Sequence, residues 1–135
     1  QKYGGFPDTY TFHNTKIHQL WYTRDQIDFD AIGKQLGVEV VTISSIKQPP
    51  GQMVPLHRDT FFQIKKQFPN DKRLKVRANI YLEDWKMGQF IQYDDTVDVK
   101  WKAGDGHLWD SDVLHVSANA GFDDKYTLQV SGFLL

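Results

Sequence analysis

The stretch Val38-Glu39-Val40-Val41-Thr42-Ile43-Ser44-Ser45-Ile46, followed two residues later by Pro49-Pro50-Gly51, decides how the chain folds. Apolar and polar residues alternate through it, and Val, Ile and Thr dominate. Such side chains are stiff at χ1 and pack well on a pleated surface, so the stretch reads as a strand. Pro-Pro-Gly then forces a turn. Toward the C-terminus short runs of the same texture recur at residues 53–59, 74–82, 90–93, 97–101, 107–110, 113–116 and 126–134. Turn-prone groups separate them, notably Asp94-Asp95, Ala103-Gly104-Asp105-Gly106 and residues 120–124. Residues 61–68 read as a short helix or an irregular insertion. Toward the N-terminus the texture is helical: Thr23 caps a run in which Ile27, Ala31 and Ile32 precede Leu36, and Gly37 supplies the stop. Asp25, Asp28 and Asp30 suit the positive end of that helix's dipole. One helix followed by about eight short strands, without repeats or alternating helices, predicts a mainly β chain. The expected architecture is a sandwich or jelly roll with the N-terminal helix packed on it.

Composition sets the outer limits. The 135 residues are 40% apolar and include nine Phe, six Tyr and four Trp spread along the chain, which is enough to bury one core. A single domain over residues 1–135 is expected. Sixteen basic residues against seventeen acidic leave a formal charge of −1, so nothing global favours nucleic acid or an anionic membrane. The Lys-rich stretch 65–75 is the local exception. No apolar run approaches the roughly 20 residues of a membrane span, and no signal-peptide pattern is visible, so the expectation is a soluble, intracellular (cytoplasmic) protein. With no cysteine, disulfides and thiolate metal sites are excluded, and a metal must sit on His, Asp or Glu.

His57-Arg58-Asp59 is the informative triplet, because residues i and i+2 of an extended strand point to one face. An imidazole and a carboxylate therefore converge. His115, in Val113-Leu114-His115-Val116 on a late strand, is the preferred third ligand, and His107, close to Asp110, is its competitor. Two histidines and one carboxylate form the facial triad of non-heme Fe(II) oxygenases and leave coordination positions open for a co-substrate and O2. By period two, Asn79 and Tyr81 share the face of Arg77, which predicts a polar patch within the barrel.

The segment beginning His115-Val116-Ser117-Ala118-Asn119 carries Lys125 ten positions after His115, with Thr127 two further on. His-X-Asp, a long interval, then His and a basic residue at that distance resembles the Fe(II)/2-oxoglutarate dioxygenase superfamily, whose fold is the double-stranded β-helix. The resemblance implies that His57, Asp59 and His115 hold Fe(II), that Lys125 pairs with the far carboxylate of 2-oxoglutarate, and that Thr127 assists. A lysine at this place is similar to the prolyl 4-hydroxylase branch, as is the spacing of Gly51, Val54, His57 and Asp59, although Val54 stands where those enzymes carry a tyrosine. The runs 49–57 and 75–82 are also similar to aspartyl/asparaginyl β-hydroxylase-like proteins, which makes Arg77, with Tyr81 beside it, a second candidate for the co-substrate pocket.

The implied activity is hydroxylation driven by 2-oxoglutarate and O2, with a peptide or protein residue (proline first) or a small amino-acid-like molecule as substrate. Trp85, Trp101 and Trp109 are candidates for a substrate entrance or for the core. The rival reading is a non-catalytic jelly-roll module that binds a small ligand or a protein. A cupin with different chemistry is disfavoured, because Arg58-Asp59 stands where such sites usually carry a second histidine.

Overall fold

The computed structural model describes residues 16–135; the first fifteen residues of the expected domain lie outside the described residues. Along the chain run β1 (His18–Tyr22), α1 (Phe29–Leu36), β2 (Val38–Gln48), β3 (Met53–His57), α2 (Phe62–Gln67), β4 (Lys75–Tyr81), β5 (Gln89–Tyr93), β6 (Thr96–Asp98), β7 (Gly106–Trp109), β8 (His115–Asn119) and β9 (Lys125–Leu134). The strands form two antiparallel sheets, a five-stranded one in the order β1-β2-β9-β4-β7 and a four-stranded one in the order β3-β8-β5-β6. This is the mainly β double-stranded β-helix expected, with β1 as an additional edge strand. Among the described residues no helix is long and apolar enough to cross a membrane.

The N-terminal helix forms later than its sequence signals imply. Thr23 instead opens a turn, its carbonyl accepting from the amides of Gln26 and Ile27. Asp28 is the N-cap: its backbone is extended and its carboxylate accepts from the Ala31 amide at 3.0 Å. Several strand limits also shift, β6 stopping at Asp98 where the expected run reached residue 101. β3 ends at His57, because Asp59 turns inward to groups on the facing sheet. β8 begins at His115 and runs on to Asn119, held by pairing to both β3 and β5. Pro50-Gly51 closes the turn between β2 and β3, with Gly51 at φ 83° and the Gln52 amide donating to the Pro49 carbonyl.

The alternation of β2 is interrupted by a bulge between Val40 and Thr42. An extra residue there switches the parity of the strand, so Val38, Val40 and Ile43 all face outward. With Val76, Ala78 and Val130 they form the main apolar core, and that core lies on the outer face of the large sheet under Phe29, Ile32 and Leu36 of α1. The inner face is polar: Gln48, Arg77, Asn79, Thr127, Gln129 and Ser131 line a cavity between the sheets.

The seating of α1 depends on Gly33, where an added Cβ would lie 2.3 Å from the Val38 carbonyl oxygen. Alanine is favoured over glycine in a helix interior by about 1 kcal/mol. Here Gly33→Ala is nevertheless expected to destabilise by about 1–3 kcal/mol, because the helix must lift from β2. Urea unfolding midpoints check this, and a higher midpoint for the variant would show that the contact is not limiting.

Candidate metal centre

His57 ends β3, and its cross-strand partner on β8 is His115. The register alone therefore brings the two imidazoles together, with ring centroids 4.2 Å apart. Asp59, two residues past His57, is 5% exposed and points its Oδ1 at both rings: His57 Nε2 lies at 3.4 Å and His115 Nε2 at 3.5 Å. These separations are what remain between ligand atoms each about 2 Å from a shared ion. The three side chains are also the only cluster of potential metal ligands among the described residues.

The groups behind the ligands fix their chemistry. His57 Nδ1 donates to the Pro55 carbonyl at 2.6 Å and His115 Nδ1 donates to the Val113 carbonyl at 3.1 Å. A carbonyl only accepts, so each Nδ1 carries the proton and each Nε2 presents a lone pair toward Asp59. Trp109 Nε1 donates to Asp59 Oδ2 at 2.7 Å, and Arg77 Nη1 lies 3.1 Å from Oδ1. Burial by itself would raise the Asp59 pKa. The groups gathered around the carboxylate, the Arg77 charge and the Trp109 N–H donor among them, outweigh it and hold the carboxyl far below the usual carboxylate range. Burial pushes the His115 imidazole down, which keeps it in the neutral, ligating form.

The cavity beside this cluster has a volume of about 440 Å³, ample for a small organic acid. Thr127, buried on β9, lines it, as do Ser117 and Gln48. Lys125 lies behind Ser117, 4% exposed, with Nζ donating to Ser117 Oγ at 3.0 Å. Ser117 in turn donates to Gln48 Oε1 at 2.9 Å. The Lys125 ammonium also lies 5.9 and 5.8 Å from the ring centroids of Tyr81 and Trp101. Burial pushes its pKa down to about 7, and no carboxylate among the described residues offsets that effect.

Of the residues singled out from sequence, His57, Asp59 and His115 meet at one point, with Arg77 against Asp59. Lys125 and Thr127 lie together elsewhere in the same interior. Tyr81 is not brought to the cavity: its hydroxyl donates to Asp98 at 2.7 Å and its ring stacks on Trp101. His107 is held by the same carboxylate, Nε2 lying 2.7 Å from Asp98 Oδ2, and takes no part in the cluster. Trp101 is core, and Trp85 donates to the Gln89 carbonyl. Only Trp109 of the three lines the cavity. The aromatic residues at its rim are instead Trp21, 54% exposed on β1, and Phe62 of α2. The β-prone run His18-Gln19-Leu20-Trp21-Tyr22 was the available signal for the first of these.

Comparison with known proteins places the fold. No family model matches the chain, and no curated protein matches it. A prolyl-4-hydroxylase from Pseudomonas putida superposes with a TM-score of 0.65 at 21% identity, covering 96% of this chain and 76% of its own. A viral collagen prolyl hydroxylase from Paramecium Bursaria Chlorella virus-1, solved as its 2OG complex, gives 0.62 at 15% identity, with coverages of 87% and 78%. A predicted oxalate decarboxylase from Thermotoga maritima gives 0.54 at 19%, with coverages of 87% and 81%. The chain therefore has the double-stranded β-helix fold that cupins and prolyl hydroxylases share.

The geometry distinguishes the histidines. His57→Ala and His115→Ala are each expected to weaken Fe(II) or Mn(II) binding by about 100-fold or more, while His107→Ala leaves it within about threefold. Anaerobic calorimetry measures this, and loss of binding on removing His107 alone would move the site.

Proposed function

We propose that this protein is an Fe(II)- and 2-oxoglutarate-dependent dioxygenase that hydroxylates a residue of a peptide or protein, with proline the first candidate. The observation that carries this reading is the two-ended interior: a His-Asp-His cluster at one place and, at another, a buried lysine with no countercharge among the described residues. A short diacid bearing a chelating 2-oxo group satisfies both ends. Two histidines and one carboxylate suit Fe(II), and the donor atoms are spaced for it. Iron held there would supply the redox chemistry that couples decarboxylation of 2-oxoglutarate to succinate and CO2 with transfer of one oxygen atom from O2 to the substrate.

The chain's own residues have defined tasks in this reading. Arg77 and Trp109 orient Asp59 and keep it ionised, so that it ligates as an anion. The Pro55 and Val113 carbonyls hold both imidazoles in the ligating tautomer. Lys125 and Thr127 receive the far carboxylate, and Ser117 aims the lysine. The mouth supports a peptide substrate: Trp21 offers an exposed aromatic face at the rim, a surface suited to a proline ring. The likeness in fold to two prolyl hydroxylases adds to this reading.

The Lys125 pKa of about 7 gives a pH dependence with a definite sign. A carboxylate binds the ammonium form, so binding of 2-oxoglutarate takes up a proton whenever the free lysine is neutral. Affinity should be level just below pH 7 and fall by about tenfold per pH unit above it, until the raised pKa of the complex is reached. Lys125→Met should weaken 2-oxoglutarate by about 100-fold, abolish that slope and leave metal affinity unchanged. The test is anaerobic titration of the Fe(II)-loaded protein with 2-oxoglutarate, read by the visible charge-transfer band of the chelate. It is followed by aerobic incubation with proline-rich peptides, scored by succinate release and a product heavier by one oxygen. Absence of the band in the wild type would reject the dioxygenase reading; succinate coupled only to small metabolites would reject the peptide substrate.

A further inference from the structure

The side-chain amide of Asn79 stands apart among the buried polar groups. Asn79 is 4% exposed, and its Nδ2 is the one buried side-chain nitrogen or oxygen among the described residues that has no hydrogen-bond partner. Native interiors rarely leave a donor in that condition without a reason. The residue lines the cavity, where a bound molecule can supply the missing acceptor.

Its place on β4 indicates which part of a ligand it meets. Arg77, Asn79 and Tyr81 share the inner face, each about 7 Å from the next along the strand. Arg77 reaches Asp59 at the metal cluster, whereas the Tyr81 ring lies under the Lys125 ammonium. Asn79 is therefore midway between the two ends. The cross-strand register repeats the order on β9, with Arg77 opposite Ser131, Asn79 opposite Gln129 and Tyr81 opposite Thr127. The two polar side chains flanking it on this face have partners: Arg77 in Asp59 and Ser131, Tyr81 in Asp98. Among the described residues Asn79 Nδ2 is the buried side-chain donor left with no partner at all.

Resting on the dioxygenase reading, we infer that Asn79 makes the site selective for a dicarboxylate by donating Nδ2–H to the distal carboxylate of the 2-oxo acid, beside Lys125 and Thr127. At the chelating end the ligand's oxygens would be engaged by the metal. The distal carboxylate has about four lone-pair sites, more than the one Lys125 ammonium and the one Thr127 hydroxyl fill, so it is the end with acceptor capacity to spare. A neutral amide fills this capacity without adding charge to a buried site that already holds an ammonium.

The test compares 2-oxoglutarate with 2-oxopentanoate, which keeps the chelating end and the chain length but lacks the distal carboxylate. Binding to the Fe(II)-loaded full chain is measured by anaerobic calorimetry, and melting temperatures are recorded without ligand. Asn79→Ala is expected to weaken 2-oxoglutarate by about 10- to 100-fold, the usual effect of losing a hydrogen bond to a charged group, and to leave 2-oxopentanoate and the metal unchanged. Asn79→Asp, nearly isosteric, should weaken 2-oxoglutarate further by placing like charge beside it. Asn79→Ala should melt within a degree or two of wild type, since the amide donor has no partner to lose, whereas Asn79→Asp should melt lower because it buries a carboxylate. Equal weakening of both acids would put the contact at the chelating end and overturn the inference. So would unchanged 2-oxoglutarate affinity in either variant, or a lowered melting temperature with affinity intact, which is the signature of a structural amide. Wild-type protein that binds 2-oxoglutarate while Asn79→Ala binds it equally well refutes this inference alone; wild-type protein that binds neither acid refutes the dioxygenase reading and this inference with it.

Discussion

The buried carboxylate of Asp59 is the interaction on which the interior depends, because it is where the two sheets meet chemically. Trp109 and Arg77 reach it from β7 and β4 of the large sheet, and His57 and His115 from β3 and β8 of the small one. A carboxylate taken out of water without such partners loses several kcal/mol of solvation. Here both oxygens are engaged, so the charge is retained rather than neutralised by a proton. The inward turn that ends β3 follows from satisfying that one anion, and cross-strand register sets the two imidazoles beside it.

A second constraint is the inversion of polarity across the large sheet. The face toward α1 carries the apolar core, and the face toward the small sheet carries Gln48, Arg77, Asn79, Thr127, Gln129 and Ser131. A β-sandwich that closed its two sheets on each other would place Val and Ile there. This chain puts its largest apolar cluster outside, under a helix, and lines the inter-sheet cavity with the polar side chains of the large sheet alongside Ile46, Ile91 and Trp109. The bulge at Val40 to Thr42 makes that possible by letting β2 serve the outer core on both sides of it, through Val38 and Val40 before and Ile43 after.

Charge is distributed unevenly along that space. The Asp59 anion marks one place, and the Lys125 ammonium, held by Ser117 and flanked by aromatic rings, marks another. Burial without a countercharge is unfavourable for a lysine and is rarely kept for stability alone. The same geometry gives an incoming carboxylate its largest gain, since the ammonium is already desolvated and aimed.

Much of this was legible in the sequence, and for a local reason. Period-two alternation, the Pro-Pro-Gly turn and the His57-Arg58-Asp59 triplet are properties of neighbouring residues, so they announce the strands and a polar pair on one face without knowledge of the partners. Tertiary structure decided the rest. Arg77, a candidate for the co-substrate pocket, lines the cavity and is set against Asp59 by the facing of the sheets. Tyr81 was counted with the pocket until the hairpin of β5 and β6 brought Asp98 to its hydroxyl. His107 was set aside by the same carboxylate, and Trp109, while lining the cavity, donates to Asp59. The N-cap moved from Thr23 to Asp28, because a turn captured the first. The sequence by itself determined which residue types face inward and at what spacing, since a strand's pleat is local. Which of them touch, and which, like Asn79, are left without a partner, was decided by cross-strand register and the approach of two sheets, because those contacts join residues tens of positions apart.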